Sequence, residues 1–364
     1  MAVPSNLSID YDALLTTTLH GYTSTKLRDN ICRGSKYLAW LDMKGRWRTQ
    51  DGGDRVAVPL MYALNSSADI YSGYGSLDTT PQDGMTTAFY DWSQLAVAVA
   101  ISRKEERQNS GKSRILNLLE SKIMQAENSL KELVNNCLVA GRITASADLG
   151  RFLARQGRLD SGAQGPLPLA ALIDSNASRS VSIGNINGST YSWWRNTATD
   201  SASTTFAGLK LDMNKMYNDC SKGSGGQPDL LVGDQKAWET YWGALSSLER
   251  YVITDKKVID ILGGADALKF RGASFIWDEV VPDTKTNAEV VDAIGTVTLS
   301  TIFFINTETM EFISDSQTDF ISTPMLRPVG QDARVGEILW MGAQGCNNRR
   351  KNGVLMGISQ SIVS

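Results

Sequence analysis

Histidine is the side chain best suited to acid–base, nucleophilic and metal chemistry near neutral pH, and the 364-residue chain has one, His20. It lies in a polar stretch, so a Ser/His/Asp or Cys/His site would have to assemble around a residue with little to hold it. Zinc and non-haem iron sites would lack their usual imidazole ligands. The cysteines Cys32, Cys137, Cys220 and Cys346 stand far apart with no Cys-x-x-Cys pair. That spacing excludes a local zinc knuckle or thioredoxin motif and reads as reduced, buried thiols in a cytosolic compartment.

Ser110-Gly111-Lys112-Ser113 ends like a phosphate-binding loop, but the position five residues before Gly111 is Glu106 instead of glycine. No apolar strand runs into it, and Ser110 reads as a helix N-cap. Gly73 and Gly75 lack the third glycine and following helix of a dinucleotide fingerprint. The adjacent carboxylates Asp278 with Glu279, and Glu105 with Glu106, read as solvated faces. Arg349, Arg350 and Lys351 form a basic cluster that could face DNA, and a turn between strands accounts for them equally well. No catalytic residue, metal or cofactor is expected.

The whole chain is 42% hydrophobic and 21% charged, with a formal net charge of -3. It can therefore bury a sizeable core, and by length could hold about two domains. Interspersed charges argue against a broad basic nucleic-acid surface. No basic n-region followed by an apolar core opens the chain, and no stretch reaches the ~18 apolar residues of a membrane span. The expectation is a cytosolic product whose Asn-x-Ser/Thr sites at Asn65 and Asn187 are ordinary loop residues.

Residues 1–53 are polar, with an apolar patch only around Ile31–Leu41, and read as an arm that needs something to lie on. From Arg55 the pattern has period two. Val56, Val58, Leu60, Tyr62 and Leu64 share a face, and Pro59 confines the strand to an edge. A return strand is expected from Thr87 to Ser102, with Leu95, Val97, Val99 and Ile101 on one face. The Gly/Ser/Asp-rich tip SSADIYSGYGSLDTTPQDG lies between them. An isolated hairpin is marginal in water, so it must find a neighbour.

A long helix is expected from about Ser110 to Gly141, with Ile115, Leu119, Ile123, Ala126, Leu130, Val134 and Cys137 spaced at three and four. About 30 residues would span on the order of 45 Å. After a Gly/Pro-rich linker, helices at Phe206–Asn218 and Gln235–Arg250 alternate with β-like runs starting at Asp229, Ala273 and Ser300. Short strands at Glu337–Met341 and Val354–Ile358 close the chain. The fold class is α+β.

Polar arm, long hairpin, long helix, mixed domain and final strands resemble the HK97-type capsid fold of tailed double-stranded DNA bacteriophages. Local segments carry the resemblance further: LPLAALID (Leu167–Asp174), NINGSTYSWWRN (Asn185–Asn196), PDLLVGDQKAWETY (Pro228–Tyr241), LKFRGASFIWDE (Leu268–Glu279) and IFFINTETMEF (Ile302–Phe312). They are similar to a large subgroup of phage coat proteins over most of the chain from Arg55.

The resemblance implies an N-arm at 1–53, an extended loop at 54–103 and a peripheral domain with the spine helix at 104–165. It places an axial domain at 166–310 and a return to the peripheral domain at 311–364. It implies a non-enzymatic shell subunit in the virion, assembled in the host bacterial cytoplasm as homo-pentamers and homo-hexamers. Its partners would be a portal protein, a separate scaffolding protein, a cement protein, and packaged DNA by weak non-specific contact, with no membrane. Arm and hairpin would gain burial by lying across adjacent subunits. Candidate contacts are Val56, Val58, Leu60, Tyr62, Tyr71, Tyr74, Phe89, Trp92, Trp193 and Trp194. The tandem tryptophans suit a carbohydrate platform or an interface hot spot, or simple burial within their own domain.

The family's type member cross-links subunits through a lysine in the extended loop, but no lysine occurs between Lys44 and Lys104 here. The helical scaffolding segment that some relatives carry at the N-terminus is also missing from this sequence, hence the expectation of a separate scaffold. An encapsulin-like compartment, a tail or baseplate protein, and an enzyme on an α+β scaffold are the competing readings.

Overall fold

The computed structural model describes residues 36–70, 72–75, 79–108, 118–139, 166–174, 182–201, 203–223, 225–245, 268–278, 280–281 and 300–358. In chain order these form α1 (Lys36–Met43), β1 (Trp47–Gln50), β2 (Val56–Met61), β3 (Met85–Tyr90), β4 (Ser93–Ser102), α2 (Arg103–Gln108) and α3 (Leu118–Val139). They continue with α4 (Leu169–Leu172), β5 (Ser182–Ile183), β6 (Ile186–Asn187), β7 (Thr197–Asp200), α5 (Phe206–Ser221), β8 (Leu230–Gly233) and α6 (Gln235–Leu245). Last come β9 (Leu268–Phe270), β10 (Ala273–Trp277), β11 (Ser300–Ile305), β12 (Met310–Asp315), β13 (Ile321–Ser322), β14 (Ala333–Cys346) and β15 (Gly353–Ile358).

Contacts divide the chain into two compact units. The larger contains Ser35–Ser93, Asn135–Ser316 and Gly342–Ser364. Its centre is a sheet in the order β7-β15-β11-β8-β10-β9. Strands β8, β11 and β15 are buried at every position, which is why LLVG, STIFFI and GVLMGI read as unbroken runs with little alternation. Helix α5 lays Leu209, Met213, Met216 and Cys220 on this sheet, a stripe spaced at four, three and four. Thr205 caps it by accepting from Gly208 N. The packing is close enough that a Cβ at Gly353 would lie 2.6 Å from Cys220 Sγ and from Met216 Sδ. Only glycine fits there.

The arm expected through residue 53 is corrected over its last part. In α1, Tyr37, Trp40 and Leu41 are buried, and β1 pairs in parallel with β12 from Trp47↔Phe312 to Gln50↔Asp315. Trp47 meets Phe312 edge-on at 4.9 Å and donates to Ser314 Oγ at 3.0 Å. Tyr37, Trp40 and Leu41, at i, i+3 and i+4, give this short helix an apolar face of its own. His20, Cys32 and the rest of the arm lie outside the described residues.

The smaller unit includes Gln94–Val134 and Gln317–Met341. The expected single return strand is corrected to two. β3 pairs with β2, whereas β4 pairs with β14. The buried positions of β3 are even-numbered, Ala88 and Tyr90, and those of β4 are odd, Ser93, Val99 and Ile101. The phase slips at Asp91–Trp92, and a period-two pattern does not survive such a slip as one flat strand.

Glu105 is not on a solvated face. Its Oε2 accepts from Ser102 N at 3.1 Å while Ser102 Oγ accepts from Glu105 N at 3.2 Å, a capping box that opens α2. Lys122 then donates to Glu105 Oε2 and to the Ala100 carbonyl, both at 3.2 Å. Asp278, in the larger unit, is likewise buried and accepts from Val280 N. The described part of the long helix has 22 residues, about 33 Å. Its expected start at Ser110, the Ser110–Ser113 motif and Gly141 lie outside the described residues. No helix among the described residues is long and apolar enough to cross a membrane.

Candidate functional site

The β2–β3 hairpin is the feature that most needs a functional account. Its register runs from Val56↔Tyr90 to Met61↔Met85. Side chains alternate across a strand, so Val56, Val58, Leu60, Ala88 and Tyr90 share one face, and Ala57, Pro59, Met61, Met85, Thr87 and Phe89 share the other.

The first face is covered by the chain itself. Val56, Val58 and Leu60 are 2%, 8% and 7% exposed, which corrects their expected role as contacts between subunits. The β5–β6 turn packs onto Ala88 and Tyr90 of this face. Phe89 N donates to Gly184 O at 3.1 Å, and a Cβ at Gly184 would lie 2.9 Å from Ala88 Cβ. Gly184 also has φ +62, so glycine is required twice over. Tyr90 anchors the base: its hydroxyl donates to Cys346 O at 2.6 Å and accepts from Cys346 N at 3.1 Å. Burial pushes its phenol well above the ordinary tyrosine range.

An aromatic stack holds the neck. Tyr62 lies on Trp193 at 5.1 Å and 18°, and its hydroxyl donates to Asp83 O at 2.9 Å. Trp193 meets Trp194 edge-on. Trp194 is buried at 2% exposure and donates from Nε1 to Ile183 O at 2.9 Å, so it is a packing residue and cannot be a surface contact. Trp92 donates to Gly53 O at 2.9 Å. Tyr71 lies outside the described residues, and Tyr74 projects fully into solvent.

The second face is bare and apolar. Met61 is 72% exposed, Met85 76% and Phe89 40%, and beyond them on the tip Leu64 reaches 87% and Ile70 99%. Met61 and Met85 are absent from the expected contacts although a signal was present: VAVPLM is apolar at both parities, so neither face of β2 is a polar one. Such a row exceeds the singly scattered apolar side chains of an ordinary protein surface.

The basic cluster at 349–351 is corrected as a DNA-facing feature. Arg349 is 3% exposed and Lys351 1%; of the three only Arg350 is exposed. The Arg349 guanidinium donates to the carbonyls of Leu172 at 2.8 Å, Trp194 at 3.3 Å and Ala171 at 3.5 Å, and to Asn196 Oδ1 at 3.1 Å. Lys351 Nζ donates to the carbonyls of Lys222 and Gly223 at 3.0 Å and of Gly226 at 3.2 Å. Gly223, Gly225 and Gly226 have φ between +83 and +108, a conformation open to glycine, and their loop brings those carbonyls to the ammonium. Burial lowers the pKa of both side chains. Both charges organise backbone from inside, out of reach of phosphate.

No group of three or more His, Cys, Asp or Glu residues among those described could hold a metal ion. Cys137, Cys220 and Cys346 are buried and not in disulfides. Burial raises the pKa of Cys220 to about 12 and of Cys346 to about 11, which leaves them protonated and unreactive at neutral pH.

The arrangement defines the class of fold: the chain has the HK97-type capsid fold, an α+β architecture with an extended hairpin beside a mixed domain. No protein-family model and no curated protein matches the chain. Solved structures match over nearly all of it. The cyanophage A-1(L) capsid asymmetric unit aligns with a TM-score of 0.65 at 15% identity, covering 93% of this chain and 97% of that one. The SrpI encapsulin of Synechococcus elongatus PCC 7942 aligns at 0.55 and 8% identity, covering 99% and 98%. A structure of the Mycobacterium phage Ogopogo aligns at 0.53 and 13%, covering 93% and 96%.

Proposed function

We propose that the chain is the major capsid protein of a tailed double-stranded DNA phage, a structural subunit that assembles with itself as pentamers and hexamers into an icosahedral shell around the genome. The observation that carries this reading is the two-faced hairpin, sealed on one side by its own chain and bare and apolar on the other. Its natural occupant is a second copy. From Val56 to Asp91 the sequence holds Asp69, Asp78, Asp83 and Asp91 and no lysine or arginine, so the receiving surface would be apolar opposite Met61 and Met85, with basic residues confined to its rim. Individually weak overlaps add up when each subunit is held by several neighbours, and contacts related by five- and six-fold rotation close. With a net charge of -3 and two of the three residues at 349–351 turned inward, contact with packaged DNA would be weak. Portal, scaffolding and cement proteins are the other partners of this reading.

Negative-stain electron microscopy of particles isolated from the native source, with this chain as their main protein, tests it: icosahedral particles of uniform diameter are expected, and rings or tubes built of this chain would overturn it. An encapsulin-like compartment remains a second reading because the SrpI subunit shares the fold over 99% of this chain. DNA inside particles purified from the native source supports the phage shell, and protein cargo supports the compartment. Because the hairpin has no lysine, denaturing gels of mature particles are expected to show a single monomer band, and a ladder of higher bands would refute the non-cross-linked shell.

A further inference from the structure

We infer that Met61 and Met85 form an oxidation site that turns the bare face of the hairpin off as a contact surface. The inference rests on that face being the contact between copies. The two residues are direct partners in the β2–β3 register and point the same way, 72% and 76% exposed. Side chains so placed have Cβ atoms about 4.5–5.5 Å apart, so their thioethers share one small patch with Pro59 and Phe89. Met213, Met216 and Met310, by contrast, are at most 1% exposed, and Met124 comes next at 36%. A thioether is a good adaptable contact because it is unbranched and polarisable. The same sulfur is oxidised where solvent reaches it.

The oxidant is a hydroperoxide. Its O–O bond breaks, one oxygen atom forms an S–O bond with the thioether, the sulfur gives up two electrons, and hydrogen peroxide leaves as water. The product is a polar, chiral sulfoxide. Burying two sulfoxides against an apolar neighbour without donors would strip them of water with nothing in return. Oxidised subunits are therefore excluded from the shell, while in a closed shell the same sulfurs are covered and protected. A methionine sulfoxide reductase supplied with a dithiol would restore the face: the S–O bond breaks, the oxygen leaves as water, and the two thiols are oxidised to a disulfide.

The test exposes dissociated full-length subunits and intact particles to the same dose of hydrogen peroxide, followed by peptide mass spectrometry and reassembly. In free subunits Met61 and Met85 should gain one oxygen each at least about tenfold faster than Met213, Met216 and Met310, because the latter need the core to open. Particles should slow the two sites by a similar factor. Particle yield should fall after oxidation and recover after reductase treatment. A Met61→Leu, Met85→Leu variant should give the same yield with and without peroxide, whatever that yield is. Subunits oxidised at both positions that assemble like untreated ones, or a variant that still loses yield to peroxide, would overturn the switch. Equal oxidation in particles and free subunits would instead overturn the contact role of this face, leaving a shell built by other surfaces.

Discussion

Replacing Arg349 by methionine is expected to lower the stability of the larger unit by roughly 3–5 kcal/mol, the range for removing one partner from a buried, hydrogen-bonded charge. Methionine fills much of the volume but donates nothing, so the carbonyls of Leu172 and Trp194 and the Asn196 amide oxygen lose a donor where water cannot replace it. The Ala171 bond, at 3.5 Å, is at the limit of a hydrogen bond and contributes little. These acceptors belong to α4, the turn before β7 and the Asp174–Asn196 bridge, in which Asn196 Nδ2 donates to Asp174 O at 2.6 Å. One guanidinium ties two segments, at 171–172 and 194–196, to its own. Denaturant unfolding should show a lower midpoint with an unchanged slope, and a thermal midpoint lower by about 10 °C. Arg350→Met, at an exposed position, should stay within about 0.5 kcal/mol of the parent. Equal stability of the two variants would remove Arg349 from its structural role.

The second large effect is on assembly. Met61→Asp combined with Met85→Asp places two carboxylates on the bare face of a hairpin that is already acidic. Both positions are largely solvated in the single chain, so thermal unfolding should move by no more than about 0.5 kcal/mol per site. Particle formation should be lost, because each carboxylate would be buried without a partner at every hairpin contact in the shell. Val58→Asp is the contrasting variant: at 8% exposure, on the face that the chain itself buries, it should destabilise the folded subunit itself. Normal yields of particles from the Met61→Asp, Met85→Asp protein would show that the bare face is not a contact. Analytical ultracentrifugation and electron microscopy of the same samples separate folded, unassembled subunits from misfolded ones.

Much of the architecture was legible because burial leaves a periodic mark. The runs from Asp229 and Ser300 and the strand Val354–Ile358 were read as β-structure from their apolar character, and a helix was expected at Phe206–Asn218, where α5 lies. The family likeness rested on five segments between Leu167 and Phe312, two of them holding β8 and most of β11, and the fold agrees with it. The two-face problem of the hairpin was half legible. Val56, Val58 and Leu60 were recognised as a face needing cover, but the cover came from Gly184 and its turn, more than a hundred residues on, and the face left over was the one with Met61 and Met85. Local pattern reports that a face is apolar and is silent about what meets it. In the same way Arg349-Arg350-Lys351 carries three positive charges in sequence, and nothing local reveals that two of them end inside cradles of carbonyls contributed by residues 171–196 and 222–226.

By itself, then, the sequence determined the class of secondary structure, the scarcity of histidine and of closely spaced cysteines, and the presence of a hairpin apolar on both sides. These follow from residue type and spacing over a few turns of chain. Tertiary structure decided which side of the hairpin stays bare, where the return strand breaks, that α1 and β1 belong to the chain's own core, and that Arg349 and Lys351 are internal ties. Each of those outcomes depends on contacts between residues tens to hundreds of positions apart, whose free energies are set by geometry that no short window of sequence contains.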